Sequence, residues 1–199
     1  MSVYEVDNYV TGNEYNGTRF VAKIWKNGPA QNLTDGANTA YANTVYVSGK
    51  DVYVPGEEVV AYKTVAKLWK NGALQPLLTE VQNSSATAVY GSGNNVYAIG
   101  SEHNGKKYVA KVWKNNIPQN LSNGNYSTSV YGVHGSGPDL YIAGFEFNGS
   151  KNINKYWKNN VAYNLLDGTR NAYANDIFVP ENVVYVIDIK QTDIGSTAT

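Results

Sequence analysis

Hydrophobic and polar residues alternate along this chain in short runs, and no stretch shows a helical period. The run Val109-Ala110-Lys111-Val112-Trp113-Lys114 is typical, with a tryptophan in mid-strand. Such runs predict half- or fully buried strands. In the region 45–78 the pattern predicts four of them, at 45–48, 52–58, 64–70 and 74–78. Turn chemistry separates the runs. Asn27-Gly28 and Asn71-Gly72 are two-residue hairpin signals, because a type I′ turn needs positive φ at both central residues. Asn115-Asn116 and Asn159-Asn160 are weaker versions of the same signal. Asn16-Gly17, Asn104-Gly105 and Asn148-Gly149 mark the preceding hairpin, and Val60-Ala61 stands in their place in the second copy.

The pattern repeats. Trp25, Trp69, Trp113 and Trp157 are each 44 residues apart, and each is followed by Lys-Asn. The same step joins Tyr9, Tyr53, Tyr97, Tyr141 and Tyr185, then Gly12, Gly56, Gly100 and Gly144, and Leu33, Leu77, Leu121 and Leu165. No insertion interrupts the register. Four short antiparallel strands recurring at a period in the forties predict the blade of a β-propeller, because one such sheet cannot bury both of its faces alone. An open β-solenoid is the competing architecture, but its coils are usually shorter. The expected fold is therefore all-β: a propeller of four-stranded antiparallel blades forming a single domain over 1–199. Its repeats are 1–44, 45–88, 89–132 and 133–176, with a half repeat at 177–199.

The unit resembles repeats of bacterial, often surface-associated, propeller proteins. The residues that carry the likeness are Val52-Tyr53-Val54, Gly56, Glu58 and Val65-Ala66-Lys67-Leu68-Trp69-Lys70-Asn71-Gly72. Asn32-Leu33-Thr34-Asp35-Gly36 and Asn164-Leu165-Leu166-Asp167-Gly168 add to it. The likeness implies the fold and no particular activity, with an extracellular or cell-surface setting favoured. The paired signatures of WD40 repeats and the double glycine of kelch repeats are missing. The last copy departs most, with Asp188 in the glycine column and Lys190 in the glutamate column.

Composition narrows the function classes. Charged residues make up 16% and the formal net charge is zero, which offers no electrostatic footprint for nucleic acid or an anionic membrane. There is no cysteine, so thiolate chemistry, disulfides and cysteine-bound zinc are excluded. No apolar run reaches membrane-spanning length. The N-terminus carries no pattern of a signal segment.

Candidate chemistry is sparse. Glu14, Glu58, Glu102 and Glu146 recur, but hairpin arithmetic sets them opposite Arg19, Lys63, Lys107 and Lys151. That predicts partly exposed cross-strand ion pairs contributing about 0.2–1 kcal/mol each. The tryptophans and the Tyr53 column are expected in the core. His103 and His134 have no partner at metal-ligand spacing, and His134 takes the column place of Tyr90. Asp35-Gly36 and Asp167-Gly168 lack the alternating acids of a calcium loop and are expected to be turns. No catalytic, cofactor or metal site is predicted. The expectation is a non-enzymatic binding or interaction scaffold, with neutral glycans or protein surfaces as partners. The alternatives are a hydrolase or lyase using the central channel, or a purely structural segment. Self-association to close a ring is a further expectation.

Overall fold

The computed structural model describes residues 7–77, 83–181 and 183–190. Among them the chain is all-β, in sheets that follow one another in chain order. The first sheet has three strands, β1 (Tyr9–Tyr15), β2 (Phe20–Lys26) and β3 (Ala30–Asn32). In the second, β4 (Ala40–Ala42) and β5 (Tyr46–Ser48) both pair with β6 (Asp51–Val60), which continues to β7 (Lys63–Lys70) and β8 (Ala73–Gln75). The third sheet is β9 (Ser84–Ser92), β10 (Asn95–His103), β11 (Tyr108–Lys114) and β12 (Ile117–Asn120). The fourth is β13 (Thr128–Ser136), β14 (Asp139–Phe147), β15 (Asn152–Lys158) and β16 (Val161–Asn164). A two-stranded sheet, β17 (Ala172–Phe178) and β18 (Tyr185–Lys190), comes last. All pairings are antiparallel. Val3, in register with Val47 as the start of a first strand, lies outside the described residues.

The expected two-residue turns form. Asn27, Asn71, Asn115 and Asn159 have φ of 51°, 51°, 49° and 50°, and each is followed by another residue of positive φ. The preceding hairpin differs from its expectation. Tyr15 pairs with Phe20 rather than Thr18, because Asn16 Oδ1 accepts from the backbone N–H groups of both Thr18 and Arg19. The loop is thus four residues long, a side-chain-closed turn of the kind asparagine favours. In the second unit the two-residue turn is Ala61-Tyr62, with φ of 49° and 65°, one place beyond the expected Val60-Ala61.

In the third, fourth and last units the first strand starts earlier than the alternation suggests and carries a bulge. Ile99 faces Ala88 while Gly100 faces Ala86, so Thr87 is the extra residue. Tyr131 and Asn175 are bulged in the same way. The repeat boundaries expected at 44/45, 88/89, 132/133 and 176/177 therefore fall within this strand or between β4 and β5. The glycine column answers to the same strand. A methyl at Gly56, Gly100 or Gly144 would collide with the carbonyl of Tyr41, Ser85 or Ser129.

The core lies between sheets. In the third sheet, Ala86, Val89, Ala98 and Trp113 pack backward on Tyr53, Ala66 and Leu68. Ala88, Ile99, Ala110 and Val112 pack forward on Val130, Ile142 and Trp157. Trp113 thus faces the preceding sheet and its neighbour Val112 the following one, as the two-residue strand period requires. The other interfaces repeat this rule. Trp69, Trp113 and Trp157 are 2%, 0% and 1% exposed, whereas Trp25, with no preceding sheet among the described residues, is only half-buried. Trp113→Ala should cost about 3–5 kcal/mol, and Trp25→Ala distinctly less. Urea unfolding of both variants checks this, and equal losses would contradict the packing.

Candidate functional site: clefts between sheets

The Lys-Asn pair after each tryptophan has a structural task. Asn71 Oδ1 accepts from Val52 N–H at 2.8 Å, while its Nδ2 donates to Asp51 Oδ1 at 3.0 Å. Lys70 Nζ lies 2.7 Å from Asp51 and 5.4 Å from the centre of the Tyr53 ring. The first and fourth units repeat the whole cluster. Lys26–Asp7 is 2.8 Å and Lys158–Asp139 is 2.7 Å, with Tyr9 and Tyr141 beneath the lysines at 5.5 and 5.3 Å. An amine over an aromatic face gains from the ring quadrupole. The bonded lysine, then the asparagine, holds each of Asp7, Asp51 and Asp139 below the usual carboxylate range. Lys26, Lys70 and Lys158 are correspondingly raised, chiefly by those carboxylates.

Beside these clusters the sheets part into clefts. One, of about 260 Å³, opens between the first and second sheets, and another of about 260 Å³ opens between the third and fourth. Their walls correspond at a spacing of two repeats. Tyr9, Ile24, Lys26 and Gln31 in one match Tyr97, Val112, Lys114 and Gln119 in the other. Lys50, Val52, Asn71 and Gly72 match Pro138, Leu140, Asn159 and Asn160. Each cleft thus offers a tyrosine, an aliphatic floor, an amine and several amides. In the second of them Asn160 Nδ2 donates to Gln119 Oε1 at 3.1 Å, tying the two sheets together across the mouth. None of these wall residues was singled out for binding from the sequence. The signal was present in the period, in the column Asp7, Asp51, Asn95 and Asp139 that answers the Lys-Asn pair.

The repeated glutamates require a correction. Glu14, Glu58, Glu102 and Glu146 face Val21, Val65, Val109 and Ile153, not Arg19, Lys63, Lys107 and Lys151. The longer loop of three units, and the one-place shift of the turn in the second, move each partner by two residues. Their ion pairs are instead diagonal, Glu14 with Lys23, and Glu58–Lys67, Glu102–Lys111 and Glu146–Lys155 at 3.0, 2.8 and 2.6 Å. These groups share the tryptophan face, which a preceding sheet covers from the second sheet onward. The Glu102 side chain is 1% exposed, and Glu14, in the first sheet, is 59% exposed. The Glu102 pair is thus buried rather than superficial, and losing one member would strand a charge in the interior.

His134 sits in a column of rings, 5.7 Å from Tyr90 and 4.8 Å from Phe178, and Tyr46 extends the column above Tyr90. Burial lowers its pKa, opposed in part by Asp176. His103 packs edge-on against Tyr108. Among the described residues no group of three or more His, Asp or Glu side chains is placed to hold a metal ion.

No protein-family model matches this chain, and no curated protein matches it.

The depressed carboxyls make a pH prediction. Asp139 has a folded pKa below its unfolded value of about 3.9. Its contribution is therefore present above that value and lost as pH falls through the folded pKa. Asp139→Asn keeps the amide clamp, as Asn95 does in the third unit, but drops the charge. The variant should be less stable than the parent at pH 7, and the gap should close on acidification to pH well below about 4. Thermal melts across that range measure it; a gap that widens in acid would contradict the pairing.

Proposed function

We propose that the chain is an array of propeller blades acting as a non-enzymatic scaffold that binds neutral, hydroxyl-rich ligands such as glycans in the clefts between successive blades. The observation that carries this reading is the recurrence of one cleft, wall residue for wall residue, two repeats apart. A sugar ring matches what the walls supply: an aromatic face, an aliphatic floor, and amides and an amine for its hydroxyls. The period of 44, the four-strand units and the inter-sheet core support the blade reading. The resemblance to bacterial propeller repeats agrees with it. Binding to a panel of neutral oligosaccharides, read by calorimetry, should give two weak, equivalent sites per chain. Gln119→Ala should remove one of them and leave the other. No binding across the panel, or a single site unaffected by that variant, would overturn the proposal.

A second reading, self-association, is favoured by the two terminal faces. Val10 is 60% exposed, although its equivalents Val54, Ala98 and Ile142 are 2%, 1% and 1% exposed against a preceding sheet. Tyr185 and Ile187 are 58% and 65% exposed, although Tyr141 and Ala143 are 3% and 0% exposed against a following one. The forward face of the last sheet and the backward face of the first are thus halves of the interface that the chain builds internally between its sheets. Two copies can supply each other in a head-to-tail contact, which closes into a ring when the rotation permits. Light scattering should show a mass that rises with protein concentration, and Ile187→Lys should hold the chain monomeric. A monomeric parent at millimolar concentration would refute this reading.

A further inference from the structure

Between the second and third sheets, and again between the third and fourth, three side-chain bonds tie the inner strands. Tyr46 and Tyr90 hydroxyls donate to the Gly91 and Gly135 carbonyls, and Asn43 and Thr87 donate to the Ala86 and Val130 carbonyls. The second strand adds the third bond: Glu57 accepts from Ser85 Oγ at 2.5 Å, and Ser101 Oγ donates to Thr128 O at 3.3 Å. The fourth sheet has rings in all three places, Tyr131 for Thr87, Phe145 for Ser101 and His134 for Tyr90. Tyr131 stacks on Phe145 at 6.0 Å, and Phe145 meets Tyr173 edge-on at 4.9 Å. Val179 stands where Gly135 accommodates the Tyr90 ring, so only a shorter ring fits at 134. That ring leaves its Nδ1 buried without a hydrogen-bond partner.

Three further features weaken the same interface. Trp69, Trp113 and Trp157 each fill the gap behind their sheet, but among the described residues the last sheet brings no tryptophan, and the core there is Tyr141, Ala143, Ala174, Ile177 and Val179. Asn154 stands in an alanine column with its Oδ1 buried and unpartnered, although its Nδ2 donates to Asp188. The last sheet has two strands among the described residues, a size that is marginal by itself in water, and its Phe178, Tyr185 and Ile187 are exposed. The other polar contacts gather at the entry to β17. Asn152 N–H donates to Asn171 Oδ1 at 3.0 Å, its Nδ2 donates to the Tyr173 hydroxyl at 2.9 Å, and Lys151 donates to Thr169 O. They fix one end of the sheet and leave its body to apolar contact. We infer that β17–β18 is a hinged lid on the fourth sheet, opening as one unit about residues 169–173 while the other four sheets stay stacked. Opening gives water to the His134 and Asn154 atoms that the closed state leaves unpaired, and such atoms oppose closure. It also bares Tyr141 and Tyr156, which hold the places of Tyr97 and Val112 in the cleft wall of the third sheet.

The test is native-state hydrogen exchange of the whole chain, followed by NMR. The ladder amides of β17 and β18 should exchange at least about a hundredfold faster than those of β13 and β14, and should share one dependence on urea. Asn154→Ala with Asp188→Gly returns both columns to the residues of the other units and should slow the exchange of the lid at least about tenfold. His134→Phe removes the other unpartnered atom and should act in the same direction, which keeps the test decisive if the double variant fails to fold. Exchange of β17 and β18 in step with β13 and β14 overturns the inference. So does exchange graded from Lys190 inward, the mark of a fraying end rather than a lid. A difference that the variants leave unchanged overturns it as well, since the unpaired atoms would then not drive the opening.

Discussion

Every sheet in this chain has two apolar faces, and that constraint organises the rest. A two-residue period sends Trp113 backward and Val112 forward, and both are within 2% of complete burial. A single four-stranded sheet with both faces apolar cannot be stable in water, since covering one side leaves the other wet. Each sheet must therefore lie between two others. The stack propagates the demand along the chain until it reaches faces with no neighbour among the described residues. The half-buried Trp25 and the exposed Val10, Tyr185 and Ile187 mark those faces. The same cause governs charge. Glu14 and Glu102 occupy the same column, yet one is in water and the other is sealed, because among the described residues only the second has a sheet on its tryptophan side.

Apolar stacking alone would let sheets slide, since it is indifferent to register. Directional contacts at the first strands remove that freedom. Asn43 Nδ2 donates to Ala86 O at 2.8 Å, and Thr87 Oγ1 to Val130 O at 2.8 Å, bonds from equivalent positions of two units to the next one. Tyr46 and Tyr90 hydroxyls donate to Gly91 and Gly135 carbonyls at 2.8 and 3.2 Å. The bulge has a reason in this setting. An extra residue turns its side chain out of the ladder and toward a neighbour, the usual role of such features. Gly135 is glycine because the Tyr90 ring lies where a side chain would stand.

The strands, the period and the type I′ turns were legible in the sequence because each is a local property. Asn-Gly between Lys26 and Pro29 can do little else. The outer hairpin was not legible, because Asn16-Gly17 offers the same dipeptide while the Asn16 side chain closes a longer loop. The error was even, two residues, so it kept the acids on the face of their lysines and changed only which lysine. Burial of Glu102 and the bulges could not be read at all, since both depend on the neighbouring sheet. The clefts were hidden for a related reason: their walls come from two units, and no single unit contains the site.

A repeat protein carries its own controls, and the departures from the repeat sort by whether something answers them. Asp188 breaks the glycine column, and Asn154 breaks the alanine column of Ala66 and Ala110. Asn154 Nδ2 donates to Asp188 at 3.1 Å, so the two polar intrusions meet in one interface, although Asn154 Oδ1 is buried without a partner. The pairing offsets part of the cost of burying each group. His134 replaces a tyrosine and is answered by rings on both sides. Asn95, in the aspartate column, comes with Pro138 in the place of Lys50 across the cleft. The two exchanges offset each other in charge, and Lys114 is exposed, so water solvates its amine.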